Sequence, residues 1–175
     1  MPAESESPLP SAAAGHVVLR THRAGDIGWI VHRHGEVYAL EYGWDGTFEA
    51  IAAEIGADFL RNYDPSCERC WIAEVDGARA GSVMLIRDRE RAGVARLRVL
   101  LVEPHARGLG VGRMLVRQCT DFARSVGYSA ITLWTSNVLT GARRLYEQEG
   151  YRLMETRPHN AYGKQMTGEV WDLML

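Results

Sequence analysis

The segment from Arg96 to Val126 leaves this chain few choices of fold. Residues 96–102 are rich in β-branched and aliphatic side chains and read as a strand. Pro104, with no N–H to donate, stops its ladder. Gly108, Gly110 and Gly112 follow at alternate positions, and Val111, Leu115, Cys119, Phe122 and Val126 then recur at the spacing of one helix face. A strand feeding a glycine turn and then a helix builds an anion site. The glycines let a ligand approach the backbone, several amides are left unpaired, and the helix dipole favours negative charge. Arg107 adds a cation at the mouth.

Two common phosphate loops do not fit. A nucleoside-triphosphate loop ends in Lys-Ser or Lys-Thr, where this chain has Arg113-Met114, and the dinucleotide fingerprint needs a glycine at 113. What remains is Arg-x-x-Gly-x-Gly, carried by Arg107, Gly110 and Gly112. It resembles the acyl-CoA pyrophosphate loop of the GNAT family of N-acetyltransferases. The bland alternative is a tight turn that binds nothing.

Composition bounds the other function classes. A chain of 175 residues holds one domain's worth of core. A net charge of -2 and a pI near 6.3 give no basic footprint, so no nucleic-acid partner is expected. No apolar run approaches the roughly 18–20 residues of a spanning helix, so no membrane partner is expected. Residues 1–15 are rich in Pro, Ser, Ala and Glu without a basic or apolar core, and read as a disordered tail, with the domain at 16–175. Three cysteines and no export signal point to reduced thiols and a cytoplasmic location. Cys67-Glu68-Arg69-Cys70 lacks a second close ligand pair, and His32, His34, His105 and His159 do not supply one, so no metal is expected.

Pattern along the chain gives the order β-α-α-β-β-β-α-β-α-β-β. Val17–Thr21 is a first strand. Ile27, Ile30, Val31, His34 and Tyr38 mark a helix that Gly35 weakens, and Phe48 to Phe59 mark a second, started from Thr47. Strands follow at 71–75 and 80–87 around an Asp76-Gly77 hairpin turn, then at 95–102. After the glycine turn and its helix come a strand at 130–135, a helix at 139–149, strands at 151–156 and 170–175, and a polar loop at 159–168. The fold class is α/β, a mixed sheet of about seven strands flanked by about four helices.

That order is also the order of the GNAT fold. Leu145-Tyr146-Glu147-Gln148-Glu149-Gly150-Tyr151 is similar to the family's Leu-Tyr-x-x-x-Gly-Phe/Tyr stretch, and Asn137 falls in the preceding turn. More narrowly, His32 to Asp45 and Thr132 to Asn137 resemble acetyltransferase domains fused behind MarR-type regulators, of which this would be a freestanding version.

The resemblance implies acetyl-CoA as co-substrate, with the pyrophosphate on backbone amides from Arg107 through Gly108, Leu109, Gly110 and Val111 to Gly112. It places the pantetheine arm along Leu100, Leu101 and Val102, with Asn137 as a further contact. Tyr146 is implied as the general acid, with a core tyrosine as the alternative. In many relatives an acid inside the fourth strand is the base. Here that strand carries Arg96 and Arg98, and no acid precedes Glu103, which is the candidate, with a solvent-facing glutamate as the bland reading. His105, Glu41, Asp45 or water stay open. Trp29, Tyr38, Tyr42 and Trp44 suggest an aromatic wall for the acceptor. Arg96 and Arg98, alternating onto one strand face, would favour an acceptor with a carboxylate, such as an amino acid. The expected activity is acetyl transfer to a primary amine in a ternary complex, a small molecule or amino acid before a protein lysine or N-terminus. A CoA-binding sensor and an enzyme of longer acyl chains are the alternatives, and homodimerisation is compatible with the family.

Overall fold

A computed structural model describes residues 15–175, so nearly all of the expected tail lies outside the described residues. The elements are β1 Val17–Thr21, α1 Asp26–Tyr42, α2 Gly46–Asn62, β2 Arg69–Val75, β3 Ala78–Arg87 and β4 Val94–Val102. A 3-10 turn at Pro104–Ala106 leads to α3 Val111–Ser125, β5 Ala130–Ser136, α4 Thr140–Gln148, β6 Arg152–Ala161 and β7 Lys164–Met174. The seven strands form one sheet in the order β1-β2-β3-β4-β5-β7-β6, in which only β4 and β5 run parallel.

Period-two alternation divides the side chains of the central strands between two cores. Trp71, Ala73, Val83 and Leu85 meet the buried stripe of α3, which runs Val111, Leu115, Val116, Cys119 and Ala123. The intervening Cys70, Ile72 and Met84 face the other way, onto Ile27 and Ile30 of α1 and Phe59 of α2. Gly35 does not interrupt α1; its bare Cα faces the Glu49 side chain of α2, where a Cβ would come within 2.8 Å. α2 starts one residue before Thr47 and is capped by Asp45, whose carboxylate accepts from the Thr47 amide at 3.0 Å.

The polar stretch after residue 156 is not a loop. β6 continues through Pro158 to Ala161, and β7 begins at Lys164. Tyr162 and Gly163, both at positive φ, form the two-residue turn between them. β6 is an edge strand, exposed from Arg152 to Pro158, so a proline and a run of polar residues cost it little. A third apolar group, of Trp44, Tyr162 and Met166 with Tyr38, Tyr42 and Phe48 against it, ties the hairpin tip to the α1–α2 junction.

The sheet is split at its centre. β4 and β5 pair only from Val94↔Ala130 to Leu97↔Leu133. Beyond that point β5 stays with β7 and β4 stays with β3. The β3–β4 register slips there: Ser82 faces Leu101 and Met84 faces Arg98, so Val99 and Leu100 together oppose Val83. Val99 sits at φ 46, a conformation that costs a β-branched residue energy and needs support from its surroundings. One support is Ser82, fully buried, whose hydroxyl donates to the Val99 carbonyl at 3.1 Å. Replacing Ser82 by Ala strands that carbonyl, so Ser82→Ala should lose about 1–3 kcal/mol of unfolding free energy. Urea denaturation measures this, and an unchanged midpoint would mean the bulge holds itself.

Candidate active site

Below the split, the chain turns at Pro104 and enters α3 through glycines. Gly110 caps α3 at φ 78 with no side-chain hydrogen bond, and the first amide in this turn to reach a helix-type carbonyl is Met114, onto Gly110 at 3.0 Å. A Cβ on Gly108 or Gly110 would meet nothing within 4 Å, so the turn's concave side is open. A Cβ on Gly112 would lie 3.1 Å from Leu145, so this glycine lets α4 close over α3. The turn therefore presents free amides at a helix N-terminus beside a strand edge with no neighbour.

A cavity of about 710 Å³ follows this surface. Leu100, Leu101 and Val102 line one side, and Arg107, Gly108, Gly110, Val111 and Gly112 line its end. Its volume suits a cofactor-sized ligand. Leu109 is exposed and outside this lining. Arg107 pairs with Glu41 at 2.8 Å, and its Nε donates to the Val102 carbonyl at 3.4 Å. Glu41 and Tyr42 therefore border the larger cavity and not a separate acceptor pocket.

A second, smaller cavity of about 120 Å³ lies on the α1–α2 side and shares Tyr38, Leu100, Leu139 and Ala142 with the first. Tyr146 reaches it from α4, and burial pushes its phenol above the usual tyrosine range. Burial does the same to Tyr38. His34, read from sequence as one of the positions marking the first helix and set aside as a metal ligand, lines this cavity and stacks on Tyr38 with centroids 5.7 Å apart. Its Nδ1 is 2.8 Å from the Ile30 carbonyl. A carbonyl can only accept, so Nδ1 carries the proton and Nε2 keeps a lone pair. Burial lowers the His34 pKa to about 4, and the ring is neutral at pH 7. Only the i, i+4 spacing to Tyr38 hinted at this in the sequence.

Several expected site residues lie elsewhere. Glu103 is neither solvent-facing nor on either cavity: it is buried, and Arg33 clamps it through Nε at 2.5 Å and Nη2 at 2.8 Å. A carboxylate held this way ties α1 to the start of the glycine turn. Asn137 lines neither cavity; its side-chain oxygen accepts from the Thr167 amide at 2.9 Å, joining the β5 end to β7. Trp29 lies outside both cavities, with the Arg79 guanidinium 5.5 Å from its ring centroid.

The two strand arginines separate. Arg96 donates through Nε and Nη2 to Asp88 at 3.0 and 2.8 Å. Burial raises the Asp88 pKa, but Arg96 and the amides of Glu90 and Arg91 outweigh it and hold the carboxyl below its usual range. Arg98 lines the smaller cavity, and its buried Nε has no partner. Burial, then the neighbouring Arg96, lowers its pKa, whereas a paired arginine such as Arg33 is raised by its carboxylate.

Comparison with known proteins agrees with this geometry. The family model described as "Acetyltransferase (GNAT) family" matches residues 35–151. An uncharacterized N-acetyltransferase of Schizosaccharomyces pombe is 30% identical over 70% of this chain and 75% of its own length. An N-acetylaspartate synthetase of Danio rerio is 33% identical over 62% of this chain but only 37% of its own length. Among solved structures, a GNAT acetyltransferase from Streptococcus pneumoniae superposes with a TM-score of 0.73 at 16% identity, covering 91% of this chain and 100% of that one. A putative acetyltransferase from Salmonella typhimurium, solved with its cofactor acetyl-CoA, gives a TM-score of 0.72 at 15% identity over 91% and 94% of the two chains. With its sheet split beside an uncapped helix N-terminus and its family model matched over more than half its length, the chain belongs to the GNAT acetyltransferase family, the acyl-CoA-dependent transferases that use acetyl-CoA.

Proposed function

We propose that this chain acetylates the primary amine of a small molecule by direct attack in a ternary complex. The observation that carries the reading is the junction of the two cavities at Leu100, where β4 has lost its β5 neighbour. Relatives named N-acetylaspartate synthetase support a small-molecule amine as the acceptor class. Acetyl-CoA supplies the thioester, whose carbonyl carbon forms the new C–N bond and whose sulfur leaves.

The residues present fit such a ligand. The free amides of the α3 turn suit a pyrophosphate, and the unpaired β5-side edge of β4 from Arg98 to Val102 suits an extended amide-bearing arm. A main-chain N–H on that edge, aimed where negative charge develops on the carbonyl oxygen, is worth about 2.7–4 kcal/mol of barrier.

Two side chains serve the protons. His34 Nε2 accepts a hydrogen bond from the attacking amine and takes its proton as the C–N bond forms. Tyr146 always carries its proton at neutral pH, so it acts as a donor to the departing sulfur. Glu103 positions the turn through Arg33. His34, on the facing helix, takes the place of the in-strand acid that many relatives carry and this strand lacks.

Gly110→Val, at a left-handed position on the open face of the turn, should weaken acetyl-CoA binding. At 100 times its Kd the ligand stabilises the parent by about 2.7 kcal/mol. That is a thermal shift of roughly 5–10 °C, which the variant should lose. An equal shift in both proteins would place the ligand elsewhere. Tyr146→Phe and His34→Gln should each lower kcat about 10²–10⁴-fold with acetyl-CoA binding kept, as measured by thiol release. By NMR the His34 ring should stay neutral until the pH falls to about 4. Titration near 6.5 would contradict its buried, neutral role.

A further inference from the structure

The smaller cavity presents a cation that has no protein partner among the described residues. Its lining is mostly aromatic and aliphatic and includes one cation, Arg98, and no carboxylate. Arg98 makes no ion pair or hydrogen bond among the described residues, and its Nε is buried and unpartnered. The contrast with its neighbours is informative. Arg96, two residues earlier on β4, is consumed by Asp88. Arg69, the other partly buried arginine with an unpaired Nε, donates through Nη2 to the Pro65 carbonyl at 2.9 Å and lies over the Phe122 ring. A guanidinium keeps its charge, so one whose Nε is buried without a partner calls for an anion from outside.

We propose that the acceptor is a small amino acid whose single carboxylate is bound by Arg98. This rests on the acetyl-transfer reading above and names its substrate class. Three observations fix the class. A planar guanidinium matches a carboxylate through two parallel hydrogen bonds. Arg98 and Leu100 are two residues apart on β4 and both line this cavity, so a carboxylate on the guanidinium and an amine at the cavity junction are separated by a few bonds. A cavity of about 120 Å³ admits a small molecule and not a folded chain. The lining offers no second cation, since His34 is neutral. A side-chain carboxylate would be left unpaired among Tyr38, Trp44, Phe48 and Tyr162, so the site selects monocarboxylates over dicarboxylates.

The test uses the full chain with acetyl-CoA and matched acceptors: leucine, leucinamide and aspartate. Thiol release gives kcat/KM, and thermal shift with CoA present gives binding. Leucine should exceed both others at least 10-fold in kcat/KM. Arg98→Met should collapse the leucine-to-leucinamide ratio to near one, chiefly through KM, with Arg98→Lys restoring part of it. Arg98→Met should also abolish stabilisation by leucine while keeping the shift with acetyl-CoA. Leucinamide equal to leucine in the parent, or aspartate preferred, would overturn the proposal with acetyl transfer intact. Leucine stabilisation that survives in Arg98→Met would overturn it as well. Loss of acetyl-CoA binding in the parent would instead strike the acetyl-transfer reading itself.

Discussion

The constraint on which the rest of this molecule depends is the point where β4 and β5 stop pairing. Parallel strands normally stay together for their shared length because each unpaired amide or carbonyl left dry costs free energy. Here the ladder ends after Leu97↔Leu133, although β4 runs to Val102 and β5 to Ser136. The bulge at Val99 and Leu100 turns β4 away, Ser82 secures it, and β7 keeps β5 on its own course. The result is a strand edge in the middle of a sheet, facing a cleft. Such an edge belongs in a protein that binds something extended along it.

Helix placement follows from the same split. α3 crosses from β4 to β5 with its N-terminus at the cleft's lower end, and Gly112 allows Leu145 of α4 to close against it. α1 packs from the other face, anchored to the turn by Arg33 on Glu103 and by Glu41 on Arg107. The α1–α2 junction is pinned in turn by Tyr162 at the β6–β7 hairpin tip. Tyr146 from α4, His34 from α1 and Arg98 from β4 thus reach one small chamber from three elements. None of the three is near the others in sequence.

That dispersal explains what the sequence could and could not disclose. The glycine turn, its helix and the Leu145 to Tyr151 stretch are local signals, and the element order and fold class they imply agree with the structure. The β6–β7 hairpin was hidden because an exposed edge strand needs no apolar alternation and tolerates Pro158. Glu103 drew attention as the first acid after β4, but its pairing with Arg33 spans 70 positions, and no local pattern encodes that. Arg96 and Arg98 looked equivalent by alternation. They are distinguished only by Asp88, whose own loop folds back onto Arg96 and leaves Arg98 unpaired. His34 was visible as a residue and not as a site, because its Ile30 partner and Tyr38 neighbour matter only once the helix faces a cavity.

Hydrogen exchange at single-amide resolution, with and without saturating CoA, addresses the cleft most directly. If the split edge and the α3 turn form the binding surface, CoA should slow exchange at amides of residues 99–102 and 108–113. Exchange that is unchanged in both segments while CoA binds and protects another face would contradict the account.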